Sequence, residues 1–214
     1  MKSFLIIGMG TFGHQLCKAL AEQNCELMIV DIDGSKLEDM IPDVVSSRIG
    51  DCTKPEVLRS FGIDHFDACF VCMGRNFLAS LQITSLLKEM RAKKVFTKAD
   101  RDVEEKFYLR NGADVVIHPE KEIAERYAIL ASSDNVFDVV RLLADYIIAE
   151  IVPQHQWIGR TIRELELRSR FHLMVLAVKN GSQITTIPDA DYRFTEAEHV
   201  FVLGRTDDIR KLER

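Results

Sequence analysis

The residues with the clearest chemical purpose stand at the start of the chain. A short apolar run, Ser3–Ile7, leads into Gly8-Met9-Gly10-Thr11-Phe12-Gly13, a GxGxxG spacing followed by helical periodicity. Between a strand and a helix, the three glycines have separate uses. Gly8 permits the tight turn, Gly10 leaves the backbone open to a pyrophosphate, and Gly13 lets the helix lie close on the strand. The helix start then offers N–H groups and a partial positive charge to phosphate oxygens. The second half of this fingerprint is an acid about 20 residues on, at the end of the next strand. Asp31 stands there, after Leu27–Val30, with Asp33 as a nearby alternative. A carboxylate at that place accepts bonds from ribose hydroxyls and repels a 2′-phosphate, which disfavours NADP. The competing readings are a glycine turn that binds nothing and an Asp31 that only shapes a turn.

Other expected strand ends fall on the same rim, because a doubly wound sheet gathers its carboxyl ends along one crevice. Gly50-Asp51-Cys52-Thr53 can flank an adenine, Met73-Gly74-Arg75-Asn76 lets a ligand approach at Gly74, and either Arg75 or Lys98 can supply charge to phosphates. Both cations are equally readable as solvated surface residues.

Several tempting signals fail. Cys69 and Cys72 have CxxC spacing but lie in the apolar strand ACFVCM, where residues three apart face opposite ways, so both are expected in the core. The odd number of cysteines, five, fits free thiols in a reducing compartment. The six histidines form no HxxxH or HExxH pattern, and no GxSxG occurs. His118 at a strand end is an acid/base candidate for a dehydrogenase, or simply a polar residue at the sheet rim. The composition, 47% hydrophobic and 29% charged over 214 residues, fits one folded domain plus a small second one. A net charge of -5 argues against a nucleic-acid partner, which needs clustered Lys and Arg. No apolar stretch has the length of a membrane span or a signal peptide, so a cytoplasmic protein is expected.

The elements that must position these residues alternate. Strands are expected at 3–7, 27–30, 44–49, 68–73, 94–97 and 115–117. Between them, helices are expected at 12–23, 36–41, 55–61 (Thr53 as N-cap, Gly62 as stop), 76–90 (Leu78, Leu81, Leu86 and Leu87 as core positions) and 103–110, and another begins at Pro119. Continuous apolar strands separated by helices predict a Rossmann-like, doubly wound parallel α/β sheet over residues 1–133. Residues 134–150 are expected to form a crossover helix and linker, with one amphipathic helix over 136–151. Residues 151–214 are expected to form a small α+β unit: a helix at 162–167, strands at 173–178, 183–187 and 200–203 with a turn at Asn180-Gly181, and a closing helix at 207–213. Too little chain remains for a substrate domain with its own acid/base group, so binding without chemistry is favoured over an NAD-dependent oxidoreductase.

Strand–GMGTFG–helix, then IVDID, GDCT, MGRN, TKAD and NGADVVIHPEKEIA, with IGRTIRELELRSRF through HVFVLG in the last part, resembles the RCK (regulator of conductance of potassium) family. Within it, the chain is similar to the cytosolic regulatory subunits of bacterial Ktr/Trk potassium-uptake systems, with TrkA-N-like and TrkA-C-like parts. The resemblance implies a non-enzymatic subunit on the inner face of the membrane. It would be a homodimer assembling into an octameric ring beneath a KtrB/TrkH-like potassium channel partner. It implies ATP/ADP, or NAD/NADH, in the crevice, held by Gly8, Gly10, Thr11, Phe12, Gly13, Asp31, Ile32, Asp51, Cys52, Thr53, Met73, Gly74, Asn76 and Lys98. It implies a divalent cation (Mg or Ca) at Glu120, which otherwise reads as a first-turn carboxylate favoured by the helix dipole. It also implies cyclic di-AMP near Ile162, Arg168 and Pro188, where Arg168 otherwise reads as a surface ion-pair residue. Thr11 stands where close relatives often carry Arg, which leaves the choice among ATP, ADP and NAD(H) open.

Overall fold

The computed structural model describes residues 1–143 and 145–213. They divide into two compact units, Met1–Glu120 and Lys121–Arg214. The first unit holds six strands: β1 (Ser3–Ile7), β2 (Glu26–Asp31), β3 (Ser46–Ile49), β4 (Ala68–Val71), β5 (Val95–Lys98) and β6 (Val115–Ile117). Its helices are α1 (Thr11–Ala21), α2 (Pro55–Arg59), α3 (Phe77–Glu89) and α4 (Asp102–Arg110), and α5 (Pro119–Ala131) begins at its end. All five strand pairings are parallel, in the order β3-β2-β1-β4-β5-β6. The order reverses between β1 and β4, and at such a switch point the loops diverge to leave a crevice.

The strands are apolar on both faces because both are covered. Leu5, Ile7, Val30, Cys69 and Val71 join one core with Leu58, Ile83 and Leu87. Ile6, Leu27, Ile29, Phe70 and Cys72 join the other with Met9, Cys17 and Met40. Cys69 and Cys72 therefore lie in separate cores on opposite sides of the sheet, as the two-residue repeat of a strand predicts.

The structure corrects several expectations here. Residues 36–41 form no α-helix but two 3-10 segments, Gly34–Lys36 and Glu38–Asp43, the second carrying Pro42. Thr53 does not cap α2: Lys54 holds that position without a side-chain bond, and Thr53 turns back to Asp51. Leu78 is exposed rather than core. Leu87 is buried as expected, Leu81 and Leu86 are partly buried against the cores, and the rest of the buried face of α3 is Ala79, Ser80, Ile83 and Thr84. Its two hydroxyls are satisfied internally: Ser80 donates to the Met73 carbonyl at 2.5 Å, and Thr84 donates to the Ser80 carbonyl and meets Thr97 at 3.0 Å.

The second unit contains the remainder of α5, then β7 (Val136–Leu143), β8 (Tyr146–Ile151), α6 (Ile162–Leu165), α7 (Leu167–Phe171), β9 (Met174–Asn180), β10 (Gln183–Thr186), β11 (Glu198–Arg205) and α8 (Thr206–Arg210). The strands make one antiparallel sheet in the order β10-β9-β11-β8-β7. Trp157 and Phe194 are buried at its core with Leu165, Leu167, Leu173 and Ile209.

The helix expected over 136–151, and with it the crossover helix of 134–150, is instead the β7–β8 hairpin; Ala144 lies outside the described residues. The error has a physical source. The pairing shifts register between Val136 and Asp138 and again between Arg141 and Leu143. An extra residue in a strand displaces the inward positions, so the buried Val136 and Val139 fall three apart and imitate a helical repeat. In β8 the alternation is regular, with Ile147, Ala149 and Ile151 buried. The closing helix is also shorter than expected: it ends at Arg210, and Lys211–Glu213 is 3-10.

Candidate functional site

At the carboxyl ends of β1, β2, β4 and β5 lies a cavity of about 920 Å³. Its rear wall is the glycine turn, whose three glycines have distinct surroundings. Gly8 has φ +94°, and a Cβ there would lie 2.6 Å from Met73 Cγ. Gly13 is not among the residues lining the cavity; it sits where α1 meets β1, and a Cβ there would overlap the Gly8 carbonyl oxygen. Gly10 differs from both. Its φ of -78° suits any residue, and a Cβ would meet no protein atom within 4 Å, yet it lines the cavity. Nothing in the fold requires glycine there, and the bare backbone faces the cavity.

Gly10 is also the N-cap of α1 and gives it no side-chain bond, and the first turn holds no acidic residue. The start of α1, with Thr11 and Phe12 on the cavity wall, therefore keeps its positive end uncompensated. Gly10→Ala is expected to fold, losing no more than about 1 kcal/mol for a poorer cap. Its Cβ would crowd a bound pyrophosphate, weakening binding by about 1–3 kcal/mol. Thermal melting alongside calorimetric titration with ADP separates the two effects, and unchanged ADP affinity would remove Gly10 from the site.

Asp31 ends β2 with its side chain 7% exposed. Its Oδ2 accepts the Met9 N–H at 2.7 Å, and its Oδ1 accepts the Asp33 N–H at 2.9 Å and Lys36 Nζ at 3.4 Å. The carboxylate thus ties the glycine turn to the β2 rim. A carboxylate has about four lone-pair sites, and an added donor at Asp31 would compete chiefly with Lys36, the longest of its three bonds. Asp33 instead accepts from Ser35 N–H and hydroxyl and begins the 3-10 segment. Ile32 is exposed at the cavity mouth.

On the far side of β2, Asp51, Cys52 and Thr53 line the cavity. Asp51 Oδ1 accepts both the Thr53 hydroxyl (2.6 Å) and N–H (3.0 Å), and these bonds hold its pKa below the usual carboxylate value. Gln82 of α3 donates to the Thr53 carbonyl at 2.9 Å and steadies this rim. Burial pushes the Cys52 and Cys72 thiols up to about 12, so neither is a nucleophile near neutral pH.

Met73, Gly74, Arg75 and Asn76 follow β4 along the opposite rim. Asn76 also caps α3, accepting the Ala79 N–H at 3.1 Å. Beyond them stands an ionic cluster: Lys98 Nζ lies 2.6 Å from Glu120 Oε1 and 3.1 Å from Asp100 Oδ1. Burial works against the Lys98 ammonium, but its bonds to Glu120 and Asp100 outweigh this and hold its pKa above the ordinary lysine value. Lys98 is therefore a cation and not a base. Asp100 and Lys36 are cavity residues that sequence reasoning missed; Asp100 was visible in TKAD, three residues beyond the expected strand end. The buried Glu104 fixes its turn, accepting the Asp100 N–H at 3.0 Å and the Arg101 guanidinium at 2.9 Å.

The remaining sequence candidates stand as follows. His118 is outside the cavity lining, its Nε2 3.4 Å from Glu105. Glu120 reaches the cavity, but its carboxylate holds Lys98, and among the described residues no group of three or more His, Cys, Asp or Glu is poised for a metal. A divalent cation at Glu120 would need ligands from elsewhere, such as phosphate oxygens. In the second unit, Ile162 packs on the core, Arg168 is exposed on α7 and Pro188 is half-buried after β10. Among the described residues no hydrogen bond or ion pair joins those three.

Comparison with known proteins matches the TrkA-N domain over residues 4–119 and the TrkA-C domain over residues 146–214. The chain is similar to Ktr system potassium uptake protein C of Bacillus subtilis, 34% identical over 213 residues, covering 100% of this chain and 96% of the relative. It is 30% identical to Ktr system potassium uptake protein A of the same organism, covering 99% and 96%. Among solved structures, its fold is similar to the GsuK RCK domain (TM-score 0.67, 18% identity) and to the GsuK channel bound to NAD (TM-score 0.68, 18% identity). Each match covers 99% of this chain but only 47% and 39% of those chains, so this protein spans less than half their length. GsuK bound to ADP is similar over 63% of this chain, with a TM-score of 0.54 and 14% identity.

Proposed function

The chain belongs to the TrkA-N/TrkA-C family that includes the Ktr potassium-uptake proteins, and from that premise we propose that it is a nucleotide-sensing regulatory subunit of a potassium channel or transporter. The observation that carries the reading is Gly10, a glycine the fold does not need, facing the cavity at an uncompensated helix start. That is a seat for a pyrophosphate. Asp31 stands beside it for a ribose, and Asp51 to Thr53 flank the adenine. NAD and ADP are ligands of structural neighbours, which supports an adenine nucleotide of the ATP, ADP or NAD(H) type here.

Binding is read out mechanically. The Lys98–Glu120 pair is weak because Glu120 is 68% exposed, so an arriving phosphate competes readily for the ammonium. Glu120 would then be free to share a divalent cation with phosphate oxygens. It also stands in the first turn of α5, the helix that continues into the second unit. Unequal affinity of the nucleotide for two arrangements of the chain supplies the gating free energy. The partner is a KtrB/TrkH-like membrane subunit, and the chain works as a dimer within an octameric ring on the cytoplasmic face. Among the described residues no helix is long and apolar enough to cross a membrane. An oxidoreductase reading lacks support, since Lys98 is held as a cation and His118 lies off the cavity.

The test has two stages. Calorimetry with ATP, ADP, NAD and NADH, with and without Mg, should give saturable binding to at least one of them. Potassium flux through the partner in proteoliposomes should then respond to that nucleotide. A protein that binds a nucleotide while flux ignores it would leave the site standing and end the gating role.

A further inference from the structure

The cavity carries three cations, Lys36, Lys98 and Arg75. Lys36 is paired with Asp31, and Lys98 with Asp100 and Glu120. Arg75 is exposed and, among the described residues, has no hydrogen bond, ion pair or ring contact. Its place in the sheet order gives it a specific role. Asp31 ends β2, the glycine turn follows β1, and Arg75 follows β4, the next strand over. A ligand with its ribose at Asp31 and its pyrophosphate at Gly10 must place whatever lies beyond the second phosphate against the β4 rim. ATP, ADP and NAD differ there and only there: a third phosphate, nothing, or a nicotinamide riboside.

Without Arg75 that rim sets one cation, Lys98, against two carboxylates, Asp100 and Glu120, and so repels a further phosphate. The α3 start beside it has no acidic residue in its first turn. Arg75 brings the rim to neutrality and presents a planar fork that fits two phosphate oxygens. Oxidised nicotinamide is a cation and gains nothing from it.

Resting on the nucleotide-binding reading above, we propose that Arg75 is a specificity-determining residue that engages the terminal phosphate of a nucleoside triphosphate and sets the ATP-to-ADP preference of the cavity.

The experiment is calorimetric titration of the full-length wild type, Arg75→Gln and Arg75→Lys with ATP, ADP and NAD, with light scattering to follow assembly. Arg75→Gln is expected to weaken ATP binding by about tenfold or more, the scale of a lost charged hydrogen bond. ADP should change less than about threefold, and NAD should be unmoved or slightly tightened. Arg75→Lys should fall between, keeping charge without the fork, and the ATP preference of the wild type should shrink with added salt. An equal loss for ATP and ADP overturns the proposal, because Arg75 would then act on the shared phosphates. An unchanged ATP-to-ADP ratio overturns it as well, including the case where assembly changes because Arg75 lies between copies. A wild type that binds none of the three overturns the nucleotide-binding reading and this proposal with it, whereas wild-type binding with an unaltered ratio in Arg75→Gln overturns this proposal alone.

Discussion

Asp31→Ala should weaken adenine-nucleotide binding more than any other single change in the cavity, by about 2–4 kcal/mol, or roughly thirtyfold to a thousandfold. Two losses combine. The ribose loses a charged acceptor, worth about 1.5–3 kcal/mol. The Met9 N–H, which donates to Asp31 Oδ2 at 2.7 Å, loses its partner, and the glycine turn is left held to β2 by the Gly8 N–H to Val30 carbonyl bond at 2.8 Å. Asp31→Asn keeps one acceptor without the charge: its amide oxygen can still accept from Met9, but its NH2 then meets the Asp33 N–H, so it should melt between the wild type and Ala and lose less binding free energy than Ala loses. Asp31→Ala also frees Lys36 from its 3.4 Å pairing, so a 2′-phosphate should be better tolerated. Calorimetry with ADP and a 2′-phosphorylated analogue reads all three effects. A folded Asp31→Ala protein with wild-type ADP affinity would show that this carboxylate serves the turn alone.

Gly13→Ala should have the largest effect on folding of the first unit. Its Cβ would overlap the Gly8 carbonyl oxygen and lie 3.2 Å from the Gly8 carbonyl carbon and 3.5 Å from Cys72 Cβ. Backbone cannot swing aside as a side-chain tip can, so α1 must lift from β1. Overpacking of this kind costs about 2–3 kcal/mol, and nucleotide affinity should fall with it because Gly8 carries the same turn. Urea unfolding followed by circular dichroism measures the first effect. Trp157, the sole tryptophan, is a poor reporter because it lies in the other unit. A midpoint matching the wild type would mean that the helix–strand contact tolerates a methyl group. Gly13 and Gly10 thus differ: the fold demands glycine at the first and leaves the second open on the cavity wall.

The local readings that succeeded rest on short-range physics. A glycine turn between strand and helix, an acid at the next strand end and apolar strands alternating with helices are each visible within a window of a few residues. The opposite facing of Cys69 and Cys72 follows from strand geometry alone. The readings that failed needed a neighbour. The β7–β8 hairpin looked helical because register shifts against its partner strand displaced its buried positions. Leu78 looked like core because nothing local says which side of α3 meets the sheet. Thr53 looked like a helix cap until Asp51 was seen to hold its hydroxyl.

By itself, then, the sequence determined the class of the fold, the glycine turn between β1 and α1 and the acid at the end of β2, since these depend on residue type and spacing along the chain. Only the tertiary structure decided that β1 lies between β2 and β4, that Lys98 is claimed by Asp100 and Glu120, and that Arg75, on the cavity rim after β4, has no partner among the described residues. Strand order and ion pairing are contacts between residues far apart in sequence. They are set by which surfaces bury one another, and no local pattern encodes that.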